Sequence, residues 1–352
     1  MLGGTASRLR RRRRRCRQQE RAMRVGSAVE FDRYGGTDEL HFVDQERPTP
    51  ADGEVVVEVV AAGLSHIEIA TREGALADRL PTVFPSRQGS CFAGIVRAKG
   101  RSVRGVHAGQ AVMGHAVGGG AQASWVCVPA AAIVRKPENI PFEVAGGLYL
   151  AGTTAWRIID DLAITADDVV MIAAAAGGVG HIEAQLALAA GARVIGTCGE
   201  RNHDYLRQIG VLPVTYGDGM VERIRQAAAG HPVTAFVDNR GDGAALSTAL
   251  GVDPARFVSL ERRRDVELYF VQAGGDDTDP ATIMQDLGRR IEAHQLRVLV
   301  SGFYPFEYLV DAYEDLAAGH SRGKVVVGMQ PVETGMRQEW YRSEKARTMA
   351  ER

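Results

Sequence analysis

An apolar strand, a glycine turn and a helix follow one another in the segment "DVVMIAAAAGGVGHIEAQLALAAG", and a second strand, "ARVIGTC", comes directly after them. Gly177 lets the backbone approach a pyrophosphate, whose charge then faces the N-terminus of a helix that starts near Gly178. Gly180 lets this helix pack closely on the strand, and Ala174 stands where the usual fingerprint has its first glycine. The turn therefore predicts a dinucleotide site on a doubly wound parallel sheet. Its predicted binding residues are Ala176, Gly177, Gly178, Val179 and Gly180.

The end of the second strand indicates which dinucleotide binds. NAD-binding folds place an acidic residue there, which accepts hydrogen bonds from the ribose hydroxyls. Here the strand ends at Cys198, and Gly199 and Arg201 follow. Small residues with a nearby arginine favour a 2′-phosphate, which a carboxylate would repel, provided that Glu200 points away as the chain turns. The sequence predicts NADP(H), although Arg201 can also be interpreted as the cap of a surface loop.

The pattern of strands and helices divides the chain into two domains. Residues 23–144 contain short strands between glycine and proline turns, such as "EVVVEVVAAG" and "FAGIVRAKG". In residues 145–295 strands alternate with helices, which is typical of a parallel sheet with helices on both faces. We expect residues 296–330 to return to the first domain and residues 331–352 to form a flexible tail. The predicted fold class is α/β, with a β-rich domain and a doubly wound domain.

The N-terminal segment carries the largest charge imbalance of the chain. Residues 1–22 hold nine arginines and one acidic residue, while the 352-residue chain as a whole has a net charge of −1. Such a segment cannot bury its charges and is predicted to be disordered. It is either an arm that neutralises phosphates of nucleic acid or of a membrane, or upstream sequence translated from a misassigned start. We favour the second interpretation, because "MRVGSAVEF" from Met23 reads as a new beginning.

The cysteines and the hydropathy pattern exclude several other classes of protein. The four cysteines are scattered without a CxxC pair, which argues against a disulfide framework and against a structural zinc lobe. No apolar run reaches the length of a membrane span. We therefore expect a cytoplasmic protein whose partner is a small molecule, without membrane or nucleic-acid contacts.

Several motifs, in order and at matching spacing, resemble the medium-chain dehydrogenase/reductase superfamily, most closely its zinc-free, zeta-crystallin-like quinone oxidoreductase branch. They are "PADGEVVVEVVAAGLS", "FAGIV", "YLAGTTAW", "AAAGGVG", "ARVIGTCGERNHDYLRQIG" and "AAGHSRGKVVV". The resemblance covers about residues 24–330. It implies a GroES-like first domain and a Rossmann domain after it, and a homodimer of such chains.

The same resemblance implies chemistry without a metal. Zinc members of this superfamily have a cysteine where this chain has Ser65, and a His-Glu pair where it has Ser90 and Cys91. Serine is a poor zinc ligand, and the cysteine-rich lobe is missing. Without a Lewis acid, the reaction that remains easy is hydride transfer to an electrophilic acceptor. The resemblance therefore implies reduction of a quinone or of an α,β-unsaturated carbonyl.

The resemblance also implies candidate site residues. Thr154 is expected near the nicotinamide, and Ser65 occupies the position where this branch commonly has asparagine, an oxyanion donor. Tyr149 and His66, the latter together with Glu68, are candidate proton donors, although each can instead pack or bond at a domain edge. His115 and His181 are interpreted as structural. The expected cofactor-binding residues beyond the turn and the second strand are Tyr216, Asn239, Phe270, Val271 and Lys324.

Two alternative functions remain open at this point. The first is a pathway-specific reductase of a larger enone or enoyl thioester in secondary metabolism. The second is a non-catalytic NADPH-binding protein whose basic segment contacts RNA, which the missing asparagine at Ser65 would also fit.

Overall fold

The computed structural model describes residues 25–259 and 279–329. The basic N-terminal segment, the predicted strand "VELYFVQ" with Phe270 and Val271, and the predicted tail lie outside these residues. The first half of the described chain is rich in strands, and the second half alternates strands with helices. This arrangement confirms the predicted α/β class.

The strands are numbered in chain order. They are β1 (Val25–Phe31), β2 (His41–Glu46), β3 (Glu54–Gly63), β4 (Ser86–Arg87), β5 (Cys91–Lys99), β6 (Ala111–His115), β7 (Trp125–Pro129), β8 (Ile133–Arg135), β9 (Val169–Ala173), β10 (Arg193–Cys198), β11 (Leu212–Thr215), β12 (Ala235–Asp238), β13 (Phe257–Ser259), β14 (Val300–Pro305) and β15 (Lys324–Gly328). The helices are α1 (His66–Arg72), α2 (Phe142–Asp161), α3 (Gly180–Ala189), α4 (His203–Gln208), α5 (Met220–Ala228), α6 (Ala244–Leu250), α7 (Pro280–Glu292) and α8 (Leu309–Ala317).

Strand β3 is the centre of the first sheet. Its sequence, "EVVVEVVAAG", is rich in β-branched residues, and all but its first residue are buried. It pairs antiparallel with β5, β7 and β15, so both of its edges are covered. The described sheet runs in the order β14-β15-β3-β5-β6-β8, and β2, β1 and β4 form a smaller sheet. The final strands β14 and β15 thus lie in the same sheet as β3; the predicted domain boundaries themselves stay predictions.

The second sheet is parallel and has the order β11-β10-β9-β12-β13 among the described strands. The chain order reverses between β9 and β12, the place where open α/β sheets bind ligands beyond the carboxyl ends of their strands. The glycine turn follows β9 directly. The structure therefore places the glycine turn, which was predicted from sequence, at the switch point of the sheet.

Helix α2 crosses the first sheet at very short range and carries two of the predicted site residues, Tyr149 and Thr154. A Cβ atom added at Gly63 would lie 2.7 Å from Cα of Gly147, and one added at Gly146 would lie 2.7 Å from the carbonyl oxygen of Ala61. Side chains at these positions would push the helix away from β3. The glycines thus set the depth at which the helix presents its residues to the first domain.

None of the helices in the described part of the chain is long and apolar enough to cross a membrane.

Candidate active site

The glycine turn closes tightly on the strand that precedes it. The backbone N–H of Gly177 donates to the carbonyl of Ala174 at 2.8 Å, and α3 begins at Gly180, directly after the turn. A Cβ atom at Gly180 would approach the carbonyl oxygen of Ala174 to 2.4 Å, which explains the glycine. Ala174 has a φ of 53°, in the left-handed region that favours glycine, at the position of the missing first glycine.

His181 fixes this turn to the returning segment. The backbone N–H of Leu299 donates to Nε2 of His181 at 3.2 Å, so the ring proton lies on Nδ1, which donates to the carbonyl of Gly177 at 2.7 Å. The side chain is fully buried, and burial lowers its pKa to about 4. A second link joins the same segments, because Gly323 donates its N–H to the carbonyl of Ala176 at 2.9 Å. The predicted structural role of His181 agrees with this geometry.

We expect His181 to make the fold sensitive to acid. Its pKa of about 4 in the folded chain, against 6.5 for the free side chain, means that the unfolded chain binds the proton more readily. The corresponding stability, about 3 kcal/mol, is fully present above pH 6.5 and is lost as the pH falls towards 4. Urea unfolding between pH 7.5 and 4.5 measures how steeply the free energy of unfolding falls with pH. This fall should be less steep in His181→Gln than in the unmodified chain, and unchanged in His231→Gln, where the histidine is exposed. An unaltered slope in His181→Gln would contradict this prediction.

Two arginines meet where β10 ends. Arg322 donates from Nε to Oδ1 of Asn202 at 2.7 Å and from Nη2 to the carbonyl of Arg201 at 3.0 Å. Arg201 donates to the carbonyl of His320. Within the described residues neither guanidinium forms an ion pair with a carboxylate, so their charges are not neutralised there. Arg322 is not among the predicted site residues, although the motif "SRGKVVV" contains it.

The other predicted residues of this strand end lie beside the arginines. Cys198 is buried, and burial raises the pKa of its thiol to about 11. A Cβ atom at Gly199 would lie 3.7 Å from the hydroxyl oxygen of Tyr216, whose side chain is exposed. The structure thus brings Cys198, Gly199, Arg201 and Tyr216 together at one end of the sheet.

Lys324 connects the glycine turn to the first domain. Its Nζ donates to the carbonyl of Leu64 at 2.8 Å, and its Cδ is 3.0 Å from the place of a Cβ atom at Gly178. The side chain of His66 is accessible to solvent on one side, yet burial by its other neighbours lowers its pKa, and the charge of Lys324 lowers it further. Ser65 follows Leu64 directly. The predicted cofactor turn and the predicted catalytic segment are therefore adjacent.

Two buried hydroxyls among the predicted site residues have no hydrogen-bond partner of normal geometry in the described residues. They are Oγ1 of Thr154 and Oγ of Ser65, the latter at the N-cap of α1 in a capping box with Glu68. The neighbouring Thr153 behaves differently, since its Oγ1 donates to the carbonyl of Tyr149 at 2.8 Å, as is usual inside a helix. A buried hydroxyl without a partner costs stability, so such groups are retained where a ligand satisfies them. Both hydroxyls were predicted from sequence as site residues.

Tyr149 lies in a group of neutral titratable side chains. Its ring stacks on His115 with 5.6 Å between the ring centres and an angle of 20°. Burial raises the pKa of Tyr149 to about 12 and lowers that of His115 to about 4. Next to them, Sγ of Cys91 accepts the N–H of Leu150 at 3.4 Å, and burial raises the pKa of the thiol to about 11. Tyr149 is therefore a protonated phenol at neutral pH.

Comparison with known proteins agrees with this geometry. Residues 51–138 match the alcohol dehydrogenase GroES-like domain family, and residues 166–327 match a zinc-binding dehydrogenase family. Quinone oxidoreductase 1 of Escherichia coli is 31% identical over 221 residues, which are 62% of this chain and 67% of that protein. The chain belongs to the medium-chain dehydrogenase/reductase superfamily, in its quinone oxidoreductase branch.

Solved structures extend the similarity over most of the chain. The quinone oxidoreductase of Coxiella burnetii is 29% identical, with a TM-score of 0.74 over 87% of this chain and 100% of that chain. A mycobacterial protein solved in complex with NADPH is 25% identical, with a TM-score of 0.73 over 86% of this chain and 99% of that chain. The first domain of this medium-chain dehydrogenase/reductase is thus GroES-like, its second is Rossmann-like, and the protein is an oxidoreductase, as the motifs predict.

The name of one matching family raises the question of zinc. Among residues 25–259 and 279–329, no three His, Cys, Asp or Glu side chains are grouped so that they could hold a metal ion. At the three positions where zinc-binding members of the superfamily have ligands, Ser65 and Ser90 offer hydroxyls and only Cys91 offers a thiol. Hydroxyls are poor ligands for zinc, and one thiol alone does not supply the three or four protein ligands that a zinc site needs.

Asn239 lies beyond the end of β12 and connects strand ends. Its Nδ2 donates to the carbonyl of Ala173 at 3.0 Å and to Oε2 of Glu183 at 2.6 Å. It thereby holds the carboxyl ends of β9 and β12 to helix α3. Its predicted contact with a cofactor stays a prediction, as do those of Phe270 and Val271 outside the described residues.

Proposed function

We propose that this oxidoreductase uses NADPH to reduce a quinone or an α,β-unsaturated carbonyl without a metal ion. The observation that carries the proposal is the bridge made by Lys324, which joins the glycine turn to Leu64 beside Ser65. A pyrophosphate on the turn would leave the far end of a dinucleotide directed towards the unpartnered hydroxyls of Ser65 and Thr154.

Residues of this chain are suited to bind both the adenosine end and the pyrophosphate of NADPH. At the adenosine end, Arg201 and Arg322 offer guanidinium groups without carboxylate partners in the described residues, and a 2′-phosphate would neutralise them. At the turn, Gly177 and Gly178 carry no side chain that would come between the backbone and a pyrophosphate. The NADPH complex of the mycobacterial relative supports this choice of cofactor. When bound, NADPH supplies the hydride.

The side chains beside the contact between the glycine turn and the first domain have separate proposed roles. The hydroxyls of Ser65 and Thr154 donate hydrogen bonds to bound groups, and a donor aimed at a developing enolate oxygen lowers the barrier. The phenol of Tyr149, protonated at neutral pH, is the proposed proton donor to the reduced acceptor. Cys91, a thiol of high pKa bonded to Leu150, contributes packing.

Parallel assays with NADPH and NADH against quinones, enones and enoyl thioesters test the proposal. We expect oxidation of NADPH with at least one quinone or enone, and much slower oxidation of NADH. Turnover should persist after dialysis against a chelator. Turnover confined to enoyl thioesters would instead identify a pathway reductase, and NADPH binding without any turnover would contradict the enzymatic proposal.

The proposal includes a homodimer in the cytoplasm. The described cysteines Cys91, Cys127 and Cys198 are free thiols, which suit a reducing compartment. Light scattering at micromolar concentration tests the dimer, and the mass of a monomer would contradict it.

A further inference from the structure

A buried carboxylate lies directly behind the candidate site. The side chain of Glu68, on the first turn of α1, is 7% exposed. Its Oε1 accepts hydrogen bonds from the N–H of Ser90 at 2.7 Å and from Oγ of Ser90 at 2.6 Å. Its Oε2 accepts from the hydroxyl of Tyr313 at 2.8 Å and from the N–H of Ser65 at 3.1 Å. Glu68 is thus an acceptor, which differs from its expected role as a proton donor.

Tyr313, on helix α8, is the most distant member of this group in sequence. Its hydroxyl is fully buried and accepts hydrogen bonds from Nε2 of Gln122 at 2.8 Å and from Nε2 of Gln88 at 3.0 Å. Its own proton has two acceptors in reach, Oε2 of Glu68 at 2.8 Å and Oε1 of Gln122 at 3.1 Å, and the carboxylate is the nearer and the stronger of the two. Nε2 of Gln122 also approaches Glu68 at 3.4 Å. The hydrogen-bonding capacity of the phenol is therefore fully used.

The charge of Glu68 is held by neutral donors alone. In the described part of the chain it forms no ion pair, and its neighbours within hydrogen-bond distance are hydroxyl, amide and backbone N–H groups. Removing one donor from a buried network leaves the remaining groups undersatisfied, so they rearrange. The network is therefore sensitive to the loss of a single hydroxyl.

The network determines where the N-terminus of α1 lies. Glu68 accepts the backbone N–H of Ser65, three residues earlier. It is itself held by Ser90, directly before β5, and by Tyr313 on the returning segment. The side chain of Ser65 is short, so the position of its hydroxyl follows the position of its backbone. Displacements of about 1 Å at a reacting group can reduce a rate by about 100-fold.

We propose that Glu68 and Tyr313 are positioning residues, which hold the hydroxyl of Ser65 where it acts on the acceptor. This inference rests on the proposed function. It assigns to helix α8, remote in sequence from the first domain, a part in the reduction that no motif indicates. The competing explanation is that the network only stabilises the core.

A double-mutant cycle separates the two explanations. Tyr313→Phe removes one hydroxyl and keeps the ring, and we expect it to lower kcat about tenfold while the Kd for NADPH is unchanged. In a Ser65→Ala background the same change should have little further effect, because it acts through Ser65. The values of kcat are divided by the number of NADPH sites, measured by fluorescence titration, so that partial unfolding does not imitate the effect. Glu68→Gln should behave as Tyr313→Phe does.

The chain offers a matched control in Tyr304→Phe. Tyr304 is also fully buried in the same core, and its hydroxyl donates to Oδ2 of Asp315 at 3.0 Å, away from α1. The Tyr304→Phe variant should have a lower melting temperature and an unchanged kcat per NADPH site. Additive effects of Ser65→Ala and Tyr313→Phe, or a Tyr313→Phe variant with unaltered kcat, would overturn this inference alone. Absence of turnover in the unmodified chain would overturn the proposed function, and this inference with it.

Discussion

The variant Gly180→Ala is expected to lose about 100-fold in affinity for NADPH, through the addition of a single methyl group. The added Cβ would lie 2.4 Å from the carbonyl oxygen of Ala174 and 3.0 Å from Cα of Ala175, both in the backbone of the turn. Backbone atoms cannot rotate away as a side chain can. The turn must therefore shift, and its N–H groups no longer fit a pyrophosphate.

The same change should lower the free energy of unfolding by about 1–3 kcal/mol, as expected for overpacking. Fluorescence titration with NADPH and urea unfolding measure the two effects. Gly53→Ala is the matched control, because nothing lies within 4 Å of a Cβ atom there and its φ is not positive. If Gly180→Ala bound NADPH as the unmodified chain does, the pyrophosphate site would have to be elsewhere.

Arg322→Ala should reduce the preference for NADPH over NADH by about 10–100-fold, since a hydrogen bond to a charged group contributes about 1.5–3 kcal/mol. The guanidinium lies against Arg201 and Asn202 at the end of β10, where the 2′-phosphate of NADPH is proposed to bind. NADH lacks this phosphate, so its Kd should change little. Titration of both cofactors gives the ratio directly.

Arg207→Ala is a suitable control for the loss of one positive charge. Arg207 is exposed on the neighbouring helix α4 and pairs with Asp204 at 3.0 Å. The Arg207→Ala variant should leave the preference for NADPH over NADH unchanged. The Arg201→Ala variant should reduce this preference. Equal weakening of NADPH and NADH by Arg322→Ala would contradict a 2′-phosphate site at this arginine.

The elements of the Rossmann-like domain could be predicted because their signals are local. The two strands and the helix around the glycine turn lie where the sequence pattern places them. Helix α1 was not expected from the sequence. Its seven residues, "HIEIATR", are too few to show a helical repeat of apolar side chains, and they come shortly after strand β3 and directly after Ser65.

The candidate site was predictable in part. The unpartnered hydroxyls of Ser65 and Thr154 and the bridge from Lys324 lie at positions that the motifs indicate. Arg322 and Tyr313 were not predicted, although Arg322 lies in the closing motif "AAGHSRGKVVV" and Tyr313 lies shortly before it. Their partners are far away in sequence, at Arg201 and Glu68, and no local pattern connects them.

By itself the sequence determined the α/β class, the glycine turn and the absence of an acidic residue at the end of β10. These features depend on residues within one strand–turn–helix unit, whose periods of 2 and 3.6 residues are visible in any window of the chain. Only the tertiary structure decided the tautomer of His181, which Leu299 fixes, and the acceptor role of Glu68, which Tyr313 fixes. Such contacts join segments more than 100 residues apart, and their hydrogen bonds depend on how the sheets and helix α2 pack, which periodicity does not encode.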